Sequence, residues 1–228
     1  MTGILYVIGT PIGNLSDLTY RAEEVLSSIN LIAAEDTRVS RKLLNHYNID
    51  FSSMVSYHEK NEKYQAEKLI GRLLLGENIG LISDAGTPCI SDPGYRLVNL
   101  ARKKNIQVIS IPGASAVTSA LSISGIPTDH YYFEGFLPTK KGRKTRFVSL
   151  ESLSATILIY ESPLRVVRTL KDIEKYWGDR IVSICREMTK LYEENFFGNI
   201  LNAIEYFEKT KPRGEFVIMV AKKDYELD

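Results

Sequence analysis

The chain has 228 residues with 29 Lys+Arg against 28 Asp+Glu, and 44% of it is hydrophobic, which suits one large or two smaller domains with a real core. That balance excludes an intrinsically disordered chain, and two cysteines, Cys89 and Cys185, exclude a disulfide framework. No apolar run approaches the roughly 20 residues that span a bilayer and no basic leader precedes Ile4, so a reducing cytoplasm is expected, with no membrane partner.

Ile4 to Ile8 is a β-branched apolar run that ends in Gly9-Thr10-Pro11-Ile12-Gly13-Asn14, a strand feeding a tight loop. Asp17 and Thr19 are cap candidates for a helix with Ala22, Val25, Leu26 and Ile29 at helical spacing. The alternation continues with a strand at 31–34, a helix capped by Thr37, a strand at 54–57, a helix from Tyr64 to Leu75, a strand at 79–82, a helix at 95–104 and a strand at 108–111. Such alternation requires crossover connections and predicts a largely parallel sheet. Ala114 to Ser122 reads as a helix of small residues and Gly125 to Asp129 as a loop. Strands follow at 131–134, 156–160, 181–185 and 216–220, with helices at roughly 143–151, 164–176 and 199–209. A further strand at 193–197 would be antiparallel. The expected architecture is two α/β domains, 1–112 and 113–228.

Three loops after strands of the first half are rich in Gly, Pro and small hydroxyl residues: Gly9–Asn14, Ser83–Gly94 and Pro112–Ala116. At the carboxyl edge of a parallel sheet they would line the usual ligand crevice, where small residues let a ligand reach the backbone. Ser115 and Ala116, at a helix start, would offer free N–H groups. None of the loops matches GxGxxG or the Walker GxxxxGK[ST] pattern, which weighs against dinucleotides and nucleoside triphosphates. The three histidines, His46, His58 and His130, and the cysteines lack metal-knuckle spacing, so no metal is expected.

Taken in order, Tyr6–Leu15, Ala34-Glu35-Asp36-Thr37-Arg38, Ser83–Gly94, Ile111–Ala116, Glu134-Gly135-Phe136-Leu137-Pro138, Tyr160-Glu161-Ser162-Pro163 and Arg186-Glu187-Met188-Thr189-Lys190 resemble the bacterial small-subunit ribosomal RNA (cytidine-2′-O)-methyltransferases of the tetrapyrrole-methylase superfamily. Longer members of that family extend beyond the core, whereas this chain ends soon after Val220. The resemblance implies two tetrapyrrole-methylase-type α/β domains with S-adenosylmethionine in the cleft between them, a homodimer, and ribosomal RNA or an assembled 30S particle as substrate. By position it transfers cofactor contacts to Ile12, Asp84, Ala85, Gly86, Thr87, Ser115 and Ala116, and to Tyr160, Glu161 and Arg186.

Displacement of a methyl group from a sulfonium by a ribose hydroxyl benefits from a general base, and Glu35, Asp36, His58 and Glu161 are the candidates. For Asp36 the competing role is a helix N-cap, and for His58 a solvated loop residue. Clustered cations at Arg38, Arg41 and Lys42, at Lys140, Lys141, Arg143, Lys144 and Arg146, and at Arg165 and Arg168 are candidate RNA-phosphate contacts. The competing role there is a solvated helix face. Two other functions stay open: methylation of a porphyrin or corrin precursor, whose carboxylates also suit basic clusters, and ligand binding without catalysis.

Overall fold

The first half pairs its short apolar runs into one all-parallel sheet. In the computed structural model, which describes residues 1–227, β1 (Leu5–Ile8), β2 (Leu31–Ala34), β3 (Ser53–Ser56), β4 (Ile79–Ile82) and β5 (Val108–Ile111) lie in the order β3-β2-β4-β1-β5. Helices α1 (Tyr20–Ser28), α2 (Thr37–His46), α3 (Glu62–Leu74) and α4 (Tyr95–Lys103) form the crossovers. Side chains alternate across a strand, so each strand feeds two cores. Leu31 and Ala33 pack with Leu5, Ile79 and Leu81 against Leu69, Leu73 and Leu97 of α3 and α4. Ile32 and Ala34 pack with Ile8, Ile82 and Ile111 against Ala22, Leu26 and Leu44 of α1 and α2. Each such Leu or Ile, fully buried, contributes about 1.5–3 kcal/mol.

Local capping departs from expectation at one helix. Thr19 caps α1 through Ala22 N, and Asp17 lies in a single 3-10 turn ahead of it. The α2 cap is Asp36 instead of Thr37: its extended backbone lets Oδ1 accept from Arg38 N at 2.8 Å, and Thr37 becomes the first helical residue.

The second half is a mixed sheet, ordered β6-β7-β10-β8-β9, built from β6 (Tyr131–Phe136), β7 (Thr156–Glu161), β8 (Ile181–Arg186), β9 (Glu194–Asn199) and β10 (Phe216–Val220). Strands β6 and β7 are parallel, and β9 runs antiparallel to β8. The last strand, β10, enters antiparallel between β7 and β8. Helices α6 (Arg143–Glu151), α7 (Val166–Trp177) and α8 (Ile200–Thr210) cover the face bearing Ile157, Ile159, Ile184 and Ile218. Helix α5 (Ala116–Ile123) precedes β6.

The chain divides into two compact units between Ser115 and Ala116. The loop after β5 therefore stays with the first unit, tied there by contacts described below. Among the described residues no helix is long and apolar enough to cross a membrane.

Candidate active site

Because β4, β1 and β5 are adjacent and parallel, the three loops that follow them emerge side by side. Thr10 and Gly86 form an isolated antiparallel bridge, with N–H···O distances of 2.9 and 3.1 Å. The buried Thr10 hydroxyl also lies 3.2 Å from the Ser83 carbonyl. Gly9 and Gly113 meet back to back, and a Cβ on Gly113 would sit 2.7 Å from the Gly9 carbonyl oxygen. Thr87 Oγ1 donates to the Ala114 carbonyl at 3.4 Å. Gly86, at φ +78°, adopts a backbone that side chains disfavour, and a Cβ there would press Ile12 at 3.3 Å. Ile12, Gly86, Thr87 and Ala114 thus form one small-residue cradle, with Asp84 and Ala85 exposed at its rim.

An acidic edge adjoins that cradle. Asp36 N–H donates to Asp84 Oδ1 at 3.0 Å, and Asp84 N–H to Glu35 Oε2 at 3.4 Å, which joins the ends of β2 and β4. Burial raises the Glu35 carboxyl above its ordinary range, and the neighbouring Asp84 charge adds to the effect. Asp84 is raised in the same direction, chiefly by partial burial. His58, whose Nδ1 is buried without a hydrogen-bond partner, lies near Glu35. The structure therefore brings Glu35, Asp36, Asp84 and His58 to one edge of the first sheet.

Asp36 differs in kind from its neighbours. Besides capping α2 it binds the Arg38 guanidinium at 2.6 Å, and these hydrogen bonds hold its carboxyl down at about 2. A carboxylate so stabilised is a poor proton acceptor. Arg38, a candidate phosphate contact, is correspondingly engaged, although its side chain is 87% exposed. Arg41 and Lys42 are exposed on the same helix.

Asp92 is the residue that sequence reasoning missed. It lies within the Ser83–Gly94 loop, where only motif membership marked it, and it is half-buried facing Glu35 and Asp84. Burial first, then those two negative neighbours, push its carboxyl up to about 6 against an opposing hydrogen bond with Ser83. The signal was present in the sequence as a second carboxylate, after Asp84, in a ligand-type loop, but its environment was not.

In the second unit several of the expected site residues are engaged in structural contacts. The Glu161 side chain is 0% exposed and is consumed by three donors: Ser162 N at 2.8 Å, Arg165 Nε at 2.7 Å and Thr169 Oγ1 at 2.6 Å. Arg143, expected among phosphate contacts, is buried, donating to Asp172 at 2.8 Å, Thr169 at 2.8 Å and the Pro138 carbonyl at 3.1 Å. Arg165 is paired with Glu161 and donates to the Leu137 carbonyl at 3.4 Å. A cation committed to a buried carboxylate has no free charge for RNA. Arg186 is likewise ion-paired, with Glu194. The Tyr160 ring packs edge-on against Phe133 and Phe136. Lys140, Lys141 and Lys144 are exposed, whereas Arg146 is bound to Glu134 and Tyr132.

Comparison with known proteins adds independent findings. The family model described as tetrapyrrole (corrin/porphyrin) methylases matches residues 4–203. The chain is 47% identical over 221 residues to the ribosomal RNA small subunit methyltransferase I of Synechocystis sp., covering 96% of this chain and 79% of that one. It is 45% identical over 222 residues to the protein of the same name from Thermotoga maritima, covering 97% and 100%. Among solved structures it resembles uroporphyrin-III-C-methyltransferase from Thermus thermophilus, with TM-score 0.66, 15% identity and coverage of 96% and 94%. A cobalt precorrin-4 methyltransferase matches at TM-score 0.68 and 16% identity, again covering 96% and 94%. At such identities these two structures speak for the fold alone.

Proposed function

This chain belongs to the tetrapyrrole (corrin/porphyrin) methylase family and is a methyltransferase, and from that premise we propose that it methylates the ribose 2′-hydroxyl of a cytidine in small-subunit ribosomal RNA, with S-adenosylmethionine as donor. The observation that carries the donor is the cradle formed by the loops after β1, β4 and β5 together with its acidic rim. Ile12 and the small residues Gly86 and Ala114 suit a flat apolar base, Asp84 suits ribose hydroxyls, and the negative edge suits a sulfonium and an ammonium group. Bound there, S-adenosylmethionine would supply an electrophilic methyl group. Identity to the two named relatives over nearly the whole chain supports RNA over a corrin or porphyrin precursor.

The chain's own part is to orient the ribose and to accept its proton as the O–C bond forms. Glu35 and Asp92 both have raised proton affinity, and the Glu35 charge helps to raise Asp92, so these two carboxyls are the acceptor we assign, with His58 near Glu35. Asp36 instead holds α2 and Arg38 in place. Arg41, Lys42, Lys140 and Lys141 meet RNA phosphates, and the working form is a homodimer.

The test is transfer of radiolabelled methyl from S-adenosylmethionine to small subunits from cells lacking this modification, followed by alkaline hydrolysis. Label retained in an alkali-resistant dinucleotide supports the proposal. Label on a base, or label accepted only by a corrin or porphyrin precursor, overturns it. Naked RNA and assembled particles run in parallel identify the form of substrate, and light scattering measures the assembly.

A further inference from the structure

The RNA reading leaves Phe136 unexplained. It is the last residue of β6, an edge strand, and 58% of it is exposed. The ring is nevertheless held firmly: it pairs in register with Tyr160 of β7, edge to face at 5.6 Å, and Tyr160 is braced in turn by Phe133 at 5.0 Å. The segment that follows is anchored from below. Leu137 is buried, and its carbonyl and that of Pro138 accept from Arg165 and Arg143, the two arginines locked into the Glu161–Thr169–Asp172 network.

That network has an electrostatic consequence. The nearby carboxylates Glu161 and Asp172 are spent on Arg165 and Arg143, and Glu134 is spent on Arg146. Lys140 and Lys141, exposed a few residues beyond Phe136, have no ion-pair partner among the described residues. A rigid exposed ring followed by uncompensated cations is the arrangement that binds an unpaired nucleotide, the ring stacking on the base and the cations meeting the backbone.

Building on the RNA reading above, we propose that Phe136 is the stacking platform for one unpaired base of the RNA substrate and that Lys140 and Lys141 hold the adjoining phosphate. Phe136 then holds the substrate strand in place without reading its sequence.

The experiment compares wild type with Phe136→Ala, Phe136→Trp and the double variant Lys140→Glu/Lys141→Glu. Measured are RNA affinity at several salt concentrations, KM and kcat for undermodified small subunits, S-adenosylmethionine affinity, melting temperature and solution mass. Phe136→Ala should weaken RNA binding and raise KM about tenfold, and Phe136→Trp should recover binding to within roughly threefold of wild type. Cofactor affinity, melting temperature and mass should not move. The double variant should lower the slope of log affinity against log salt by about two. Unchanged RNA affinity and KM in Phe136→Ala, with a wild type that methylates RNA, overturns this inference alone. A fall in solution mass that accompanies the loss of binding would assign the ring to a second copy of the chain and overturns it as well. A wild type that neither binds nor methylates RNA overturns both this inference and the function it rests on.

Discussion

The backbone N–H of Asp36 donates to the carboxylate of Asp84 at 3.0 Å, which joins the end of β2 to the end of β4 across 48 residues of sequence. Through this bond the rim of the ligand cradle and the start of α2 become one piece. The acceptor at residue 84 therefore orients the loop that carries Glu35, in addition to the ligand contact proposed for it.

Replacing Asp84 by Ala should weaken S-adenosylmethionine binding by about tenfold or more, as expected for loss of a hydrogen bond to a charged group. Asp84→Asn, which keeps one acceptor for the Asp36 amide, should lie between the two. Calorimetric titration of each variant with the cofactor measures this, and equal affinity for wild type and Asp84→Ala would remove the residue from the cofactor site.

Asp92 makes stability depend on pH. Its folded carboxyl is raised to about 6 from an ordinary 3.8, so its protonated form favours folding below about pH 4, and that contribution is lost as pH rises through about 6. Asp92→Asn should therefore melt higher than wild type at pH 8 and show little difference at pH 4. If the ionised carboxylate accepts the ribose proton, wild-type turnover should rise as pH passes through about 6, and the variant should lose that limb together with most of its kcat. Melting curves and pH–rate profiles from the same preparations would expose a purely structural Asp92, for which only the first difference appears.

Glu161 should behave as structure. Glu161→Gln weakens a buried pair with Arg165 and should destabilise the protein by about 3 kcal/mol, read as an earlier denaturation midpoint. Assayed well below its melting temperature, the variant should keep kcat within about threefold. A thousandfold fall in kcat with an unchanged midpoint would instead return Glu161 to the role of base.

The cradle depends on two backbones in contact. Gly113→Ala would place a methyl 2.7 Å from the Gly9 carbonyl oxygen, where neither backbone can yield cheaply. A loss of about 1–3 kcal/mol in stability is expected, with weakened cofactor binding. Gly71→Ala is the matched control, since nothing lies within 4 Å of its added methyl. Urea denaturation of both variants makes the comparison, and equal midpoints would mean that the loops are not packed as described.

Much of the fold was legible because its signals are local. Alternation of Leu31-Ile32-Ala33-Ala34 between two cores, the helical spacing of Ala22 and Leu26, and the glycines after β1 and β4 each follow from a few neighbouring residues. That the loops after β1, β4 and β5 gather side by side was legible for the same reason, since parallel strands deliver their carboxyl ends to one edge. The charged residues were not. Arg143 and Lys141 are two positions apart in the same basic run, yet one is buried against Asp172 and Thr169 while the other is exposed. Only the packing of α6 on α7 separates them. Asp92 and Asp36 are both aspartates of the acidic edge, but burial, helped by two negative neighbours, drives Asp92 toward protonation, whereas hydrogen bonds from Arg38 hold Asp36 as a negative charge. Periodicity along the chain thus determined the elements and the loops. What each charge does was decided by the tertiary structure, because burial and partners far away in sequence set the cost of carrying that charge.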